Sequence, residues 1–195
     1  LLAKPAVIPA ILYYYLTVKT AKVNWLFISV LILNFIGDTI VLLEINEQTL
    51  IIMVPYFISY LILFFFSIQD IRKMKFVKSG ILITTLIFCF LMYVLHELIQ
   101  MFVDTNPELI IPVVIYGIVL AVFGCVAVYC YYSKIAAFTF YLLMFVIASI
   151  VSDVFYMLFH FLFQIPLLNY IEFTTQLLSY YFVVKYFISR EKQLH

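Results

Sequence analysis

Long apolar runs alternate along the chain with short polar connectors, and each run is about as long as a bilayer is thick. A hydrocarbon core about 30 Å thick needs roughly 20 apolar helical residues. Reading with that window predicts spans near 3–18, 23–43, 49–69, 80–103, 109–132, 136–162 and 167–188. The two-residue alternation of a membrane β-strand is absent. The predicted class is therefore all-α, a polytopic transmembrane helix bundle with seven spans in this chain. The connectors are too short for a separate catalytic module outside the membrane, and Gly-rich phosphate loops and internal repeats are absent.

Composition supports the membrane reading. Of 195 residues, 67% are hydrophobic and 11% charged, where a soluble domain is about half apolar and a quarter charged. A net charge of +1 gives no basic field for nucleic acid, so none is expected as a partner. Cys89, Cys125 and Cys130 lie in apolar runs without zinc-site spacing, and Cys125 and Cys130 read as buried free thiols on different faces of one helix. No metal or cofactor is expected.

The connector charges set an orientation. Lys19 and Lys22 lie in the first connector, Arg72, Lys73, Lys75 and Lys78 in the third, Lys134 in the fifth, and Arg190 and Lys192 in the C-terminal tail. The second connector instead carries Glu44 and Glu47, the fourth Asp104 and Glu108, and the sixth is uncharged. Excess Lys and Arg marks the cytoplasmic side, so the C-terminus is expected in the cytoplasm and Leu1 outside. The chain starts at Leu1 rather than Met, and its first run lacks the small-residue cleavage site of a signal peptide, which predicts further sequence upstream.

Ionisable groups in hydrocarbon are costly, and each one inside a span marks a candidate functional position. The second span holds Asn34 and Asp38 at i,i+4 on one face. The fourth holds Tyr93, His96 and Glu97; the sixth Ser149, Ser152 and Asp153, then Tyr156 and His160. In the seventh, Glu172, Gln176 and Tyr180 form another i,i+4 ladder. With alternating span directions, Asp38, Glu97, Asp153 and Glu172 all fall about 8 Å outward of the midplane. Lys4 lies just above them and Tyr116 at a comparable level, while the inner half has almost no such groups. The pattern predicts one polar chamber open toward the outer leaflet.

Singly, each residue has a plainer reading. Asp38 and Asp153 can be interhelical hydrogen-bonding groups, Glu172 and His160 solvated interface residues, and His96–Glu97 a helix end. Lys185 can snorkel to headgroups, and the 21 Phe and 16 Tyr serve packing, lipid contact and the interfaces. Their common depth is what favours a site. Two carboxylates in a low-dielectric site divide naturally into one acid and one base, and a cation at the mouth suits a phosphate headgroup. No GxSxG or Ser-His-Asp spacing points to a nucleophile.

Several short motifs then resemble, in order, those of the YhhN family of membrane proteins, also called the lysoplasmalogenase family. They are Lys4-Pro5, Gly37-Asp38 within Phe35–Leu43, Pro112–Tyr116 opening the fifth span, Ser152-Asp153 and Tyr180-Tyr181. The resemblance implies a single domain over 1–195 that lacks the first of eight spans, in a bacterial cytoplasmic membrane. It also implies hydrolysis of the vinyl ether bond of a lysoplasmalogen-type lysophospholipid to a fatty aldehyde and a glycerophospho-headgroup. In that reading Asp38 and Asp153 are the catalytic acid and base in an order left open. Lys4 holds the phosphate, and Tyr116, Glu172 and Tyr180 position the substrate. The chain departs from the family at Ser59–Leu63, where many members carry a His, and at Val183-Val184-Lys185, where Ala-Gln often follows the paired tyrosines. The alternatives are a non-catalytic lipid-binding protein and a proton-coupled carrier. A retinal-type receptor fits poorly, because Lys185 lies far below Asp38 and Asp153.

Overall fold

The computed structural model describes residues 3–19, 23–43, 49–103 and 106–194, with residues 3–5, 49–50 and 194 described in backbone only. The described residues form seven α-helices and no strand: α1 (Ala3–Val18), α2 (Trp25–Leu42), α3 (Thr49–Ile71), α4 (Lys78–Val103), α5 (Ile110–Ser133), α6 (Ala137–Met157) and α7 (Pro166–Leu194). In hydrocarbon every backbone N–H and C=O needs a partner within its own segment, and apolar runs of this length meet that demand as helices. Five helical segments are long and apolar enough to cross a membrane: Trp25–Leu42, Ile51–Ile71, Lys78–Val103, Pro107–Ser133 and Ala137–Leu162. α1 is shorter, and α7, at 29 residues, is made less apolar by its polar ladder and charged tail.

The differences from the predicted boundaries are local. α2 starts at Trp25 because the Asn24 side-chain oxygen accepts the Phe27 N–H at 3.2 Å, an N-cap. α6 ends in a π turn, Leu158–Leu162, closed by the Phe163 N–H on the Leu158 carbonyl at 2.7 Å. α7 runs past its predicted end at 188 to Leu194, and this draws Arg190 and Glu191 into the bundle.

α6 packs most extensively on α7. α5 touches α3, α4 and α6, while α1 joins α2 to α7. The main core is aromatic: Phe27 stacks on Phe187 at 4.0 Å, Phe66 meets Phe187 edge-on at 5.0 Å, and Tyr60, Phe123 and Phe145 cluster beside them. A smaller cluster of Leu95, Leu98, Phe102, Leu109, Val113 and Met157 closes the end near the predicted chamber. Ile36, Phe65, Leu86, Phe90 and Ile115 point outward, as suits helices whose outer faces meet lipid.

The inner half is not bare at its far end, contrary to the sequence-based expectation. Arg190 lies 2.8 Å from Asp70, and its Nε also reaches the second carboxylate oxygen at 3.0 Å. Tyr186 donates to the same carboxylate at 2.6 Å, and the guanidinium sits over the Phe66 ring. Beside them the Tyr15 hydroxyl donates to Glu191 at 2.8 Å. Arg190 reads in the sequence as a tail residue, and the extension of α7 to Leu194 brings it and Glu191 into the bundle.

Replacing Arg190 by Met leaves the buried Asp70 carboxylate without its cation, and the expected loss of stability is about 3–5 kcal/mol. The double variant Asp70→Leu/Arg190→Met removes both charges and is expected to recover most of that loss. Thermal unfolding in one detergent compares the three proteins. A single variant as stable as the parent refutes the ion pair's role.

Candidate functional site

At the opposite end of the bundle, polar side chains from five helices converge. Asp38, in the last part of α2, is 1% exposed. Its two oxygens accept the Tyr56 hydroxyl of α3 at 2.5 Å and the Tyr180 hydroxyl of α7 at 2.6 Å. Asp153 of α6 is partly buried, and one of its oxygens accepts the Tyr116 hydroxyl of α5 at 2.7 Å and the Tyr60 hydroxyl of α3 at 3.0 Å. Each carboxylate is thus held by two phenols from two other helices. Four hydroxyl donors from three helices fix the orientation of the two side chains.

A ladder along α7 runs from Ser152, the neighbour of Asp153, to the Asp38 clamp. Ser152, next to Asp153, donates to Gln176 at 2.8 Å, and the Gln176 amide donates to the Tyr180 hydroxyl at 2.7 Å. Tyr180 in turn donates to Asp38, so an unbroken run of hydrogen bonds links Ser152 to Asp38. One turn below Asp38, the Asn34 amide donates to the Ser59 hydroxyl at 2.9 Å.

α3 supplies Tyr56, Ser59 and Tyr60 because positions i, i+3 and i+4 share one helix face. The Gly37-Asp38 pair gains a physical reason at this contact. A Cβ on Gly37 would lie 2.7 Å from the Tyr56 ring carbon that carries the hydroxyl. Only a glycine before Asp38 lets the ring lie flat enough on α2 for its hydroxyl to reach the carboxylate.

A partly open cavity of about 40 Å³ lies beside the clamps, lined by Tyr56, Tyr116, Ser152, Asp153, Glu172 and Gln176 among apolar neighbours. Asp153 and Glu172 are the carboxylates on its wall, whereas Asp38 sits behind Tyr56. Glu172 is 5% exposed, and its backbone carbonyl accepts the Ser152 hydroxyl at 3.2 Å. It is therefore a buried residue of the site and not a solvated interface residue.

The structure brings together Asp38, Tyr180, Asp153, Tyr116 and Glu172. It does not bring Glu97: Glu97, His96 and Tyr93 face away from the bundle, and four carboxylates at one depth become three at one site. The helix period explains this, since Leu95 and Leu98 take the inward face of α4. His160 is exposed, and its ring lies tilted against Tyr156 at 4.3 Å. The side chain of Lys4 lies outside the described residues. Lys185 donates to the Tyr14 hydroxyl at 3.0 Å on the lipid side of α7, away from both aspartates. No group of three His, Cys, Asp or Glu suited to a metal ion occurs among the described residues.

Sequence reasoning missed Tyr56, Ser59 and Tyr60. The signal was present as three hydroxyl residues at i, i+3, i+4 on the third span, of which Ser59 and Tyr60 lie in the stretch read only as a departure from a family pattern.

Seven helices enclosing clamped aspartates define an integral, multi-pass membrane protein with an intramembrane polar site. The model of the YhhN family matches residues 1–191, and the chain belongs to that family. Searches of curated proteins and of solved structures gave no match.

Gly37→Ala forces the Tyr56 ring off α2 and is expected to cost about 1–3 kcal/mol, as overpacking does. In a Tyr56→Leu background the same change meets no ring, and its added cost is expected to fall well below that range. A double-mutant cycle on thermal stability measures the coupling. Additive losses refute the contact.

Proposed function

We propose that this chain is a membrane-embedded hydrolase that cleaves the vinyl ether bond of a lysoplasmalogen-type lysophospholipid by acid–base catalysis. The observation that carries the reading is an aspartate, Asp153, on the wall of a largely apolar cavity whose lining also includes Tyr56, the tyrosine that donates to a second, enclosed aspartate, Asp38. Membership of the YhhN family agrees with such a role. An enol ether needs neither a nucleophilic side chain nor a metal for its cleavage. It needs a proton on carbon, a water molecule and a base.

In this mechanism Asp153 enters protonated and gives its proton to the β-carbon of the vinyl ether, forming an oxocarbenium ion. Water adds to the cation. Its proton passes to the oxygen of Tyr56, whose own hydroxyl proton moves to Asp38, 2.5 Å away. The hemiacetal then collapses. Asp153 takes its hydroxyl proton as the aldehyde forms, and the proton held at Asp38 returns through Tyr56 to the departing alcohol oxygen. One water is consumed and both aspartates regain their starting states. Asp153 is the group that touches substrate, and Asp38 acts one tyrosine removed. Tyr116, by holding Asp153, and Tyr180, by holding Asp38, are positioning residues. Glu172 faces the polar part of the substrate, and Lys4 takes the phosphate on the sequence argument. With the connector charges read as above, the site opens toward the outer leaflet and the C-terminus is cytoplasmic.

The test is aldehyde release from a lysoplasmalogen by the purified protein in nanodiscs. Asp153→Asn keeps an acceptor for Tyr60 and Tyr116 but has no acid, so a fall of about 10²-fold or more is expected. Asp38→Asn and Tyr56→Phe are expected to fall together, since they interrupt one relay. All variants are compared at matched thermal stability. No aldehyde from a well-folded parent protein overturns the reaction and leaves a lipid-binding site.

A further inference from the structure

A second, partly open groove, with a cavity volume of about 50 Å³, lies between α4, α5 and α6 and is lined by Leu91, Leu95, Leu98, Leu120, Ala121 and Ile150 among others. Val113, Tyr116, Asp153 and Met157 line both this cavity and the polar one. Asp153 and Tyr116, whose hydroxyl donates to that carboxylate, therefore stand in the wall shared by the two spaces. Their chemistry differs sharply. Tyr116 and Asp153 are the polar side chains of the second cavity, whereas Tyr56, Ser152, Glu172 and Gln176 belong to the first alone.

The cavities are also offset along the helix axes. On α5 the second one runs from Val113 to Ala121, about 12 Å of helix, and it descends from the depth of Asp153 toward the centre of the bundle. On α4 it descends over Leu98, Leu95 and Leu91, which points the same way because that helix runs in the opposite direction. The polar cavity lies on the other side of Asp153, toward Leu109, Phe161 and Glu172. A molecule filling both has a polar end, a bond beside Asp153, and an apolar chain directed at the bilayer centre.

We propose that the α4–α5–α6 cavity is the binding groove for the single hydrocarbon chain of the substrate, with Ala121 and Leu91 as the residues that limit chain fit. This deepens the hydrolase reading, on which it rests for the identity of the bond at the junction. The groove seats one chain. Lipid tails are as apolar as the groove, so filling it yields little affinity relative to the bilayer. What it yields is register: a seated chain places the first carbons after the headgroup at Asp153.

The test uses a lysophospholipid with a saturated alkyl ether chain, which cannot be cleaved, carrying a photoreactive diazirine in the middle of a hexadecyl chain. The full chain is labelled in nanodiscs and the sites are mapped by mass spectrometry. Labels are expected on Leu91, Leu120, Ala121 and Ile150, reduced by excess unlabelled single-chain lipid and not by a two-chain phospholipid. Ala121→Phe is expected to lower groove labelling by the hexadecyl probe at least tenfold, while an octyl probe still labels near Val113 and Met157. If that variant fails to fold, Leu91→Ala is the second arm, and it is expected to extend labelling deeper along α4. Labels confined to outward residues such as Phe65, Ile36 and Phe90, or uncompeted by single-chain lipid, overturn the groove. Groove labelling without aldehyde release from a lysoplasmalogen keeps the groove and overturns the hydrolase reading. Aldehyde release without groove labelling does the reverse.

Discussion

A carboxylate inside a bundle surrounded by hydrocarbon must find its hydrogen-bond donors on neighbouring helices, and here those donors are tyrosine hydroxyls. Asp38 takes Tyr56 and Tyr180, Asp153 takes Tyr60 and Tyr116, Asp70 takes Tyr186 together with Arg190, and Glu191 takes Tyr15. Each pairing joins different helices, so the acids act as knots in the fold. A phenol suits this task because its ring packs as a large apolar body while its hydroxyl reaches a partner. The abundance of tyrosine is thus partly structural and partly chemical, and it is not only a matter of interfacial anchoring.

α3 is the helix on which this arrangement turns. Tyr56 faces α2, Tyr60 faces α5 and α6, and Asp70, at its far end, faces α7. Its side chains organise both polar regions, and the glycine at position 37 exists to let one of them approach. Pro55, just before Tyr56, deprives the helix of one backbone donor, a loss that a packed membrane helix tolerates. Local irregularity and site formation coincide at that turn.

The fold was legible because hydrocarbon imposes a strict length and composition on each span, and all seven predicted runs are helical. Because rise per residue is fixed, depth alone brought Asp38, Asp153, Glu172 and Tyr116 to one level in the sequence. Depth does not specify rotation about the helix axis. Glu97 had the right height and the wrong face, and only the packing of Leu95 and Leu98 decides that. Tyr56 and Tyr60 escaped notice for the opposite reason, since a tyrosine in an apolar span looks like packing until its carboxylate partner is known. The Asp70–Arg190 pair was hidden by helix ends, the least readable feature of a sequence.

The separation of the two polar regions bears on what the bundle does. Along α3, Tyr60 and Asp70 are ten residues apart, and along α7 so are Tyr180 and Arg190, a distance of about 15 Å in each case. Between them lie Leu63, Phe66, Phe123, Phe145, Val183 and Val184, all buried in the main core. Ser67, the hydroxyl residue of α3 in this layer, donates to its own helix at the Leu63 carbonyl. A carrier requires polar groups or water that continue across such a layer, and the aromatic packing occupies that space. The site beside Asp153 is therefore one-sided. Its two cavities run toward the nearer end of the bundle and toward its middle, and neither is lined by Asp70, Tyr186 or Arg190.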